Sequence, residues 1–316
     1  MPQITRRAAL AGAALLPVAA AAQSSRPITL VVPFPPGGST DVTARLLAER
    51  MAPLLGSPLN VENRPGAATV VGADHVARSQ PDGHTVLVSS GSTLTINPHI
   101  VRNIPYKRED FAPVSLISTL PLAIVVRPDG PPSLDALIER ARAQPGQVTY
   151  GTNGPSSFNN IAWVLVTEQL GIRMQEVSYR GDAAQVADFL AGRLDMLVVG
   201  GSTALPMHSD GRGRILGWTG DARMSITPEV PTVAERAPNA VAVTWFGLLV
   251  PARTPAAMVT RLNQAAVAAM RQPAFGTRLE AEGQTLMATS PEAFADFLTR
   301  ESDRWGPVLR RMNIEM

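Results

Sequence analysis

Polar loops that follow short apolar runs are the segments of this chain best suited to hold a ligand. The segment ITLVVPFPPGGSTD at 28–41 starts with a buried-strand pattern, turns at a Pro/Gly stretch and ends in helix-capping side chains. Gly37 and Gly38 allow a turn with positive φ, and Ser39 and Asp41 suit the first turn of a helix. Unpaired backbone N–H groups at such a helix start attract anions. This segment therefore predicts an anion-binding loop.

Three further loops of the same chemistry follow other strand-like runs. Their polar residues are Ser90, Ser92 and Asn97 after the run at 85–89, Asn153, Gly154, Ser156 and Ser157 after the run at 148–151, and Gly200 and Ser202 after the run at 196–199. All lie where α/β proteins bind ligands, beyond the carboxyl ends of strands. Any one of these loops could be a simple turn with a helix cap. Together the four predict a site that holds a small carboxylate through hydroxyls, amides, helix N-termini and water, without a cationic side chain.

Alternating apolar runs and helical patterns position these loops, and they predict α/β domains with mainly parallel sheets. Besides the run at 28–32, the strand candidates are 59–62, 85–89, 122–126, 148–151, 196–199 and 215–219. The runs at 114–126 and 243–250 have no clear helix between them and their neighbours, so they are the candidate crossovers between two domains.

Helix patterns carry readable start and stop signals. The first helix is expected to bury Val42, Leu46, Leu47, Met51 and Leu54 and to end at Gly56. Ser133 is expected to cap a helix at 134–143. A last helix, starting after Ser290, is expected to bury Phe294, Leu298, Trp305 and Leu309.

The first 22 residues predict an export signal rather than part of the fold. Arg6 and Arg7 precede an Ala/Leu-rich stretch with a small-residue cleavage site at 20–22. The paired arginines and weak hydrophobicity resemble a twin-arginine signal, and a Sec signal is the alternative. Removal of this segment lowers Lys+Arg from 28 to 26, equal to the 26 Asp+Glu. The balance of charge then gives no reason to expect nucleic-acid binding.

Composition and motifs exclude several classes of protein. The absence of cysteine excludes disulfides and a lipid-modified N-terminal cysteine, and four scattered histidines argue against a structural metal site. No nucleophile elbow, Walker motif or dinucleotide fingerprint occurs. We therefore expect a soluble periplasmic monomer without cofactor that is not an enzyme, while a hydrolase site assembled from distant Ser, His and Asp residues stays open.

Eight motifs in chain order carry a resemblance to a known family. They are PFPPGGSTD at 33–41, VENRPGA at 61–67, QPDGHTVL at 80–87, INP at 96–98, DFAPVSLI at 110–117, VSYRG at 177–181, EVPTVAE at 229–235 and WFGLLVPARTP at 245–255. From about residue 28 onward the chain resembles the Bug/TctC family, the extracytoplasmic solute-binding receptors of tripartite tricarboxylate transporters. The resemblance implies a two-lobed periplasmic-binding-protein (Venus flytrap) fold with two crossover segments. Lobe one would be 27–120 plus 247–316, and lobe two 121–246.

The resemblance also implies roles for individual residues. In the family, the loop matching 34–41 grips one carboxylate through backbone groups and bridging waters. This role passes to Phe34, Gly37, Gly38 and Ser39, with Asp41 more a helix cap than a ligand contact. Asn97, the loop at 152–157 and the turn Tyr179, Arg180 and Gly181 would form the other walls.

Two departures from the family pattern bear on specificity. Phe158, Asn159 and Asn160 stand where many relatives carry a histidine, and residues 198–200 read Val-Val-Gly where many read Phe-Asp-Asn. We expect the far half of the pocket to be less polar or roomier than in those relatives. The hypothesis is a ligand whose far end is not a second strongly anchored carboxylate, such as an aromatic or aliphatic monoacid.

Two functions stay open alongside the less favoured hydrolase. The protein would deliver its ligand to the permease subunits of a tripartite tricarboxylate transporter, or it would present its closed form to a membrane sensor. Both require the lobes to close around the ligand, since contacts from both lobes form only in the closed state.

Overall fold

The computed structural model describes residues 26–155, 157–179 and 181–312. The strands are β1 (Ile28–Val32), β2 (Leu59–Asn63), β3 (Thr85–Ser90), β4 (Phe111–Pro121), β5 (Ala123–Val126), β6 (Thr149–Thr152), β7 (Gln175–Ser178), β8 (Met196–Val199), β9 (Arg214–Trp218), β10 (Val243–Pro251) and β11 (Thr285–Leu286). The helices are α1 (Ser39–Leu55), α2 (Val70–Ala77), α3 (Asn97–Ile100), α4 (Leu134–Ala143), α5 (Phe158–Leu170), α6 (Asp182–Leu190), α7 (Gly201–Ser209), α8 (Ala256–Met270), α9 (Pro273–Ala281) and α10 (Pro291–Met312). The predicted export signal at 1–22 lies outside the described residues, as do Ser156 and Arg180.

The first of two sheets has the strand order β11-β4-β10-β3-β1-β2. Strand β1 pairs in parallel with β2 and β3, whereas β10 runs antiparallel to β3 and β4. One face buries Val32 and Leu248 together with Leu47 of α1. The other face buries Leu87 with Phe294 of α10. Helices therefore cover both faces, as the unbroken apolar run of β1 requires.

The second sheet has the order β7-β6-β8-β5-β9. Strand β6 pairs in parallel with β7 and β8, and β5 runs antiparallel to β8 and β9. Both sheets are therefore mixed, and the expectation of mainly parallel sheets is wrong, because the strands that pass between the sheets run against their neighbours. Strand β7 was not predicted because it lies at an edge and is only partly buried, so it has no apolar run.

Helix signals in the sequence were informative about ends and less so about faces. Gly56 ends α1 in the left-handed conformation with φ of +60°, as predicted. The buried face of α1 is rotated from the predicted one, because Leu54 is 49% exposed while Ala48 and Leu55 are buried. Ser133 caps α4, its hydroxyl oxygen accepting from the backbone N–H of Ala136 at 3.2 Å.

The chain passes between the sheets twice. It leaves the first sheet after Pro121 and enters the second at Ala123, and it returns between Trp218 and Val243. Strands β4 and β10 pair with each other from Phe111↔Pro251 to Pro121↔Val243, with two register shifts. The lobe boundaries expected at 120/121 and 246/247 stay predictions.

Helix α10 packs against the cores of both sheets. Phe294 and Leu298, near its start, belong to a buried cluster with Leu87 of the first sheet. Trp305, near its end, belongs to a buried cluster with Val198 of the second sheet. One helix therefore contributes apolar side chains to both lobes.

Candidate ligand-binding cleft

A cavity of about 440 Å³ lies between the two sheets. Small-molecule sites occupy roughly 300–1,000 Å³, so this volume suits one small ligand. Its walls are Phe34, Ser39, Thr40, Ala68, Thr69, Ser90, Ser92, Asn97, Leu120, Thr244 and Phe246 from the first sheet and its loops, Leu122 from the crossing, and Asn153, Ser157, Phe158, Asn159, Gly181, Asp182, Gly200 and Ser202 from the second. A molecule in this cleft would contact both lobes at once.

The structure brings most of the sequence-predicted site residues to this cavity. Phe34, Ser39, Ser90, Ser92, Asn97, Asn153, Ser157, Phe158, Gly181, Gly200 and Ser202 line it, whereas Gly37, Gly38, Asp41, Gly154 and Tyr179 do not. Sequence reasoning missed Thr40, Ala68, Thr69, Leu120, Leu122, Asp182, Thr244 and Phe246. The roles of individual residues in binding stay predictions.

Glycines shape the loop between β1 and α1. Gly37 has φ of +88°, whereas Gly38 is extended with φ of −80° and ψ of 168°. The positive φ expected in this pair therefore falls on Gly37 alone. Gly38 immediately precedes α1 and has no side chain to cap the helix. Asp41 in the first turn of α1 fixes the loop instead, since its Oδ2 accepts from the Gly37 N–H at 2.9 Å.

Asp41 holds this loop from behind the cavity wall. It is 2% exposed and also accepts from Nε of Arg45 at 2.9 Å and from Nδ2 of Asn63 at 2.8 Å. Asn63 Nδ2 also donates to the carbonyl oxygen of Phe34 at 3.1 Å. Burial raises the pKa of Asp41, but the hydrogen bonds from Arg45, Gly37 and Asn63 outweigh it and leave the pKa below its ordinary value. Asp41 thus acts as a charged support, and the role of Asn63 was missed from sequence.

A strained segment forms another part of the wall. Ala67, Ala68 and Thr69 have φ of +44°, +49° and +83°, which is unfavourable for residues with a Cβ and most so for a β-branched one. Asn97 holds the segment, donating from Nδ2 to the carbonyl oxygen of Ala68 at 2.5 Å and to Oγ1 of Thr69 at 3.1 Å. Tyr106 packs beside them, and burial raises its pKa to about 12, which keeps its hydroxyl protonated.

Replacing Asn97 by leucine should remove the support of this segment. We expect the free energy of unfolding to fall by about 1–3 kcal/mol, since buried acceptors lose their donor, and we expect ligand affinity to fall with it. Urea unfolding and calorimetric titration would measure both. If Asn97 acts by holding strained backbone, adding Ala68→Gly should recover part of the affinity, because glycine tolerates positive φ. Unchanged affinity in the single variant would contradict this role.

Loops of the second lobe are fixed by their own hydrogen bonds. Ser157 caps α5, its Oγ accepting from the Asn160 N–H at 3.3 Å and donating to the carbonyl oxygen of Gly154 at 2.7 Å. Asn159 donates from Nδ2 to the carbonyl oxygen of Val198 at 2.6 Å. Tyr179 turns away from the cavity and donates to Asp188, so its part in the wall would be indirect.

Helix N-termini converge on the cavity. Helices α1, α5, α6 and α7 each begin at or directly after a residue of its wall, namely Ser39, Ser157, Gly181 and Gly200. Their free N–H groups and dipoles favour an anion. Ser90, also in the wall, is 3% exposed and its Oγ has no hydrogen-bond partner. A buried hydroxyl without a partner in the protein is able to hydrogen-bond to a ligand.

A larger groove of about 760 Å³ lies on the other face of the crossing strands. Thr119 and Pro121 line this groove, whereas Leu120 and Leu122 line the cleft, as side-chain alternation along a strand requires. One of its charged groups is already engaged, since Arg223 makes two hydrogen bonds of 2.8 Å to the Glu235 carboxylate. The buried Ser90 hydroxyl without a partner lies in the cleft, where several helices also begin, so the cleft is the better candidate site.

The lobes touch beside the cleft. The hydroxyl oxygens of Ser39 and Ser202 are 3.2 Å apart. Gly201, at the start of α7, lies against the backbone of Glu282 and Gly283, and a Cβ on Gly201 would come within 2.6 Å of the Glu282 carbonyl oxygen. The two lobes are therefore in direct contact at one side of the cleft.

The described part of the chain holds neither a cluster of metal-binding side chains nor a helix that could span a membrane. Among residues 26–155, 157–179 and 181–312, no group of three or more His, Cys, Asp and Glu side chains could hold a metal ion. No helix within those ranges is both long and apolar enough to cross a membrane.

Two α/β lobes with a cleft between them define a periplasmic binding protein, and solved structures of that class share the fold. The chain matches the tripartite tricarboxylate transporter family receptor, TctC, over residues 43–314. It belongs to this family, which confirms the resemblance carried by the eight motifs.

Three relatives illustrate the relationship. The protein BugT of Bordetella pertussis is 36% identical over 304 residues, covering 95% of this chain and 93% of BugT. A Rhodopseudomonas palustris protein solved with adipate has a TM-score of 0.84 at 29% identity, covering 93% of this chain and 99% of its own. MatC from the same species, solved with bound malate, has a TM-score of 0.79 at 28% identity, covering 90% and 99%.

Proposed function

We propose that this protein captures a small carboxylate in the cleft between its lobes and delivers it to the membrane permease of a tripartite tricarboxylate transporter. The observation that carries the proposal is the start of α1 in the wall of the cavity, with α5 and α7 beginning at the same cavity. That arrangement stabilises an anion through backbone N–H groups alone. The malate and adipate bound by the two solved relatives support a carboxylate as the anion.

We propose that the carboxylate of the ligand binds at the start of α1. Ser39 and Thr40 of its first turn line the cavity, and Ser90, with its unpaired hydroxyl, is on the same lobe. Asp41 does not oppose an anion there, because its charge is taken up by three donors behind the wall. The first lobe thus binds the charged end of the ligand.

Apolar side chains form a second part of the wall. Phe34, Leu120, Leu122, Phe158 and Phe246 line the cavity. Phe158 is held edge-on against Trp305, with ring centroids 5.7 Å apart. These contacts support a ligand with an aliphatic or aromatic body behind its carboxylate.

A thermal-shift screen of the purified protein tests the proposal. Mono-, di- and tricarboxylic acids would be compared with their uncharged methyl esters. An acid at about 100 times its dissociation constant should stabilise the fold by about 2.7 kcal/mol, and its ester should not. The variant Ser90→Ala should lose part of the shift. A screen in which no acid raises the melting temperature would overturn the proposal.

Delivery to a permease requires export and a membrane partner. The family description supports both, since it is that of a transporter receptor. We place the protein in the periplasm and expect it to bind the permease in its ligand-closed form. Uptake of the identified acid should stop when the gene is deleted, and loss of a transcriptional response with uptake intact would instead favour a sensor.

A further inference from the structure

Asp182 introduces a negative charge into the wall of the cleft. It is the first residue of α6 and belongs to the second lobe. Among the described residues that line the cavity, it is the only one with an ionisable side chain. A ligand in the cleft therefore meets an acidic group from this lobe.

Neutral donors hold the Asp182 carboxylate in place. Its Oδ1 accepts from Nδ2 of Asn153 at 2.8 Å and from Nε2 of Gln185 at 2.9 Å, and its Oδ2 accepts from Oγ1 of Thr203 at 3.2 Å. Gln185 is fully buried, so this geometry is fixed from within the lobe. Within the described ranges, none of the ion pairs includes Asp182. Its charge is oriented by its neighbours and is not cancelled by a cation among them.

The two lobes thus present different charges to the cleft. The first lobe offers the start of α1 and the unpaired hydroxyl of Ser90, which favour an anion. The second lobe offers Asp182, whose negative charge offsets the positive end of the α6 dipole. A second carboxylate near Asp182 would be repelled, whereas an ammonium group would be attracted.

We propose that Asp182 is the specificity-determining residue of the cleft, which selects a carboxylate with an ammonium group at its far end and rejects a dicarboxylate. This inference rests on the proposed function and narrows it. It predicts a ligand of a different class from the adipate and malate bound in two solved relatives. Ligands would therefore be zwitterionic amino acids whose carboxylate faces α1 and whose amine faces α6.

Calorimetric titration with ligands of matched length tests this inference. Succinate, glutarate and adipate would be compared with 4-aminobutyrate, 5-aminovalerate and 6-aminohexanoate, and with butyrate, valerate and hexanoate. In each length class that binds, the amino acid should bind at least about tenfold more tightly than the diacid. Asp182→Asn keeps the shape of the side chain and should reduce this preference at least about tenfold.

Control variants separate the effect of losing the Asp182 charge from an effect on folding. Asp129→Asn removes an equal charge from an exposed position of the same lobe, with 78% of the side chain accessible, and should keep the preference. Asp182→Ser provides a second variant, and the melting temperature of each checks that it folds. Diacids that bind wild type as tightly as amino acids, or an unchanged preference in both Asp182 variants, would overturn the inference while leaving the carboxylate receptor intact. Absence of binding by every acid would instead refute the proposed function.

Discussion

Replacing Gly201 by alanine is expected to weaken ligand binding at least about tenfold while the ligand-free protein keeps its melting temperature. A Cβ at this position would lie 2.6 Å from both the carbonyl oxygen of Glu282 and the Cα of Gly283. Both are backbone atoms of the opposite lobe, so they yield only if the lobes separate. Gly200 and Ser202, on either side, line the cavity and would withdraw from the ligand. Overpacking costs about 1–3 kcal/mol, and 1.4 kcal/mol corresponds to a tenfold change in affinity.

The same substitution should not harm the second lobe itself. Gly201 begins α7 and does not have positive φ, so alanine fits the local backbone and favours a helix. Gly276→Ala is the matched control, because it lies in α9 and its added Cβ would meet nothing closer than Leu286 Cδ2 at 3.9 Å. Titration calorimetry measures affinity, and thermal melts measure stability. Equal affinities for Gly201→Ala and wild type would show that this contact plays no part in closure.

Closure can be followed directly, because the chain has no cysteine of its own. Ser39→Cys combined with Ser202→Cys places two thiols where the hydroxyl oxygens are 3.2 Å apart. Disulfide formation in this double variant should be rapid, and adding Gly201→Ala should slow it. Non-reducing electrophoresis over time would measure the rates.

The second large effect is expected for Asp41→Ala. This change leaves the Gly37 N–H and the Asn63 amide without their acceptor in a position that is 2% exposed. We expect the free energy of unfolding to fall by about 2–4 kcal/mol, measured by urea unfolding. Ligand affinity should also fall, since Phe34 and Ser39 belong to the loop that Asp41 holds.

Arg45→Gln is the control for the charge pair of Asp41. The Arg45 side chain is 53% exposed, and exposed ion pairs contribute about 0–1 kcal/mol. Its loss should therefore cost much less than the loss of Asp41. Equal effects of the two substitutions would mean that the ion pair, and not the hydrogen bonds to Gly37 and Asn63, supports the loop.

Lowering the pH should remove the stabilisation that the Asp41 carboxylate gives to the wild-type protein. Because the folded-state pKa of Asp41 lies below the unfolded value of about 3.9, its contribution to stability is fully present above that value. It is lost as the pH falls through the folded-state pKa. The stability difference between wild type and Asp41→Asn should therefore shrink in acid, and urea unfolding at pH 6 and near pH 3 would measure it.

The sequence predicted the elements best where burial is continuous on both sides. Strand β8 was found as an unbroken apolar run and β3 from its apolar centre, whereas β7 was missed because an edge strand needs no such run. The predicted buried face of α1 was wrong near the end of the helix, where Leu54 is apolar yet 49% exposed. Periodicity identifies a helix, but only its packing partners decide which apolar residues are buried.

Predicting the site worked for the loops and failed for the strands that cross between lobes. Ser90 ends β3 and Ser202 lies just beyond the end of β8, so the rule for the carboxyl ends of strands located them. Leu120 and Phe246 carry no sequence signal of binding, because they are apolar residues in apolar strands. Only the pairing of β4 with β10 shows which of their side chains face the cleft.

Helix α10 also sets the order in which the two lobes can mature as the chain leaves the ribosome. Its side chains Phe294 and Trp305 complete the packing of the first and second lobes respectively, and α10 follows every described strand in the chain. Neither lobe can therefore finish its interior before α10 has been synthesised, although domains often fold from the N-terminus as they emerge. We expect a chain cut before α10 to leave both lobes without part of their interiors.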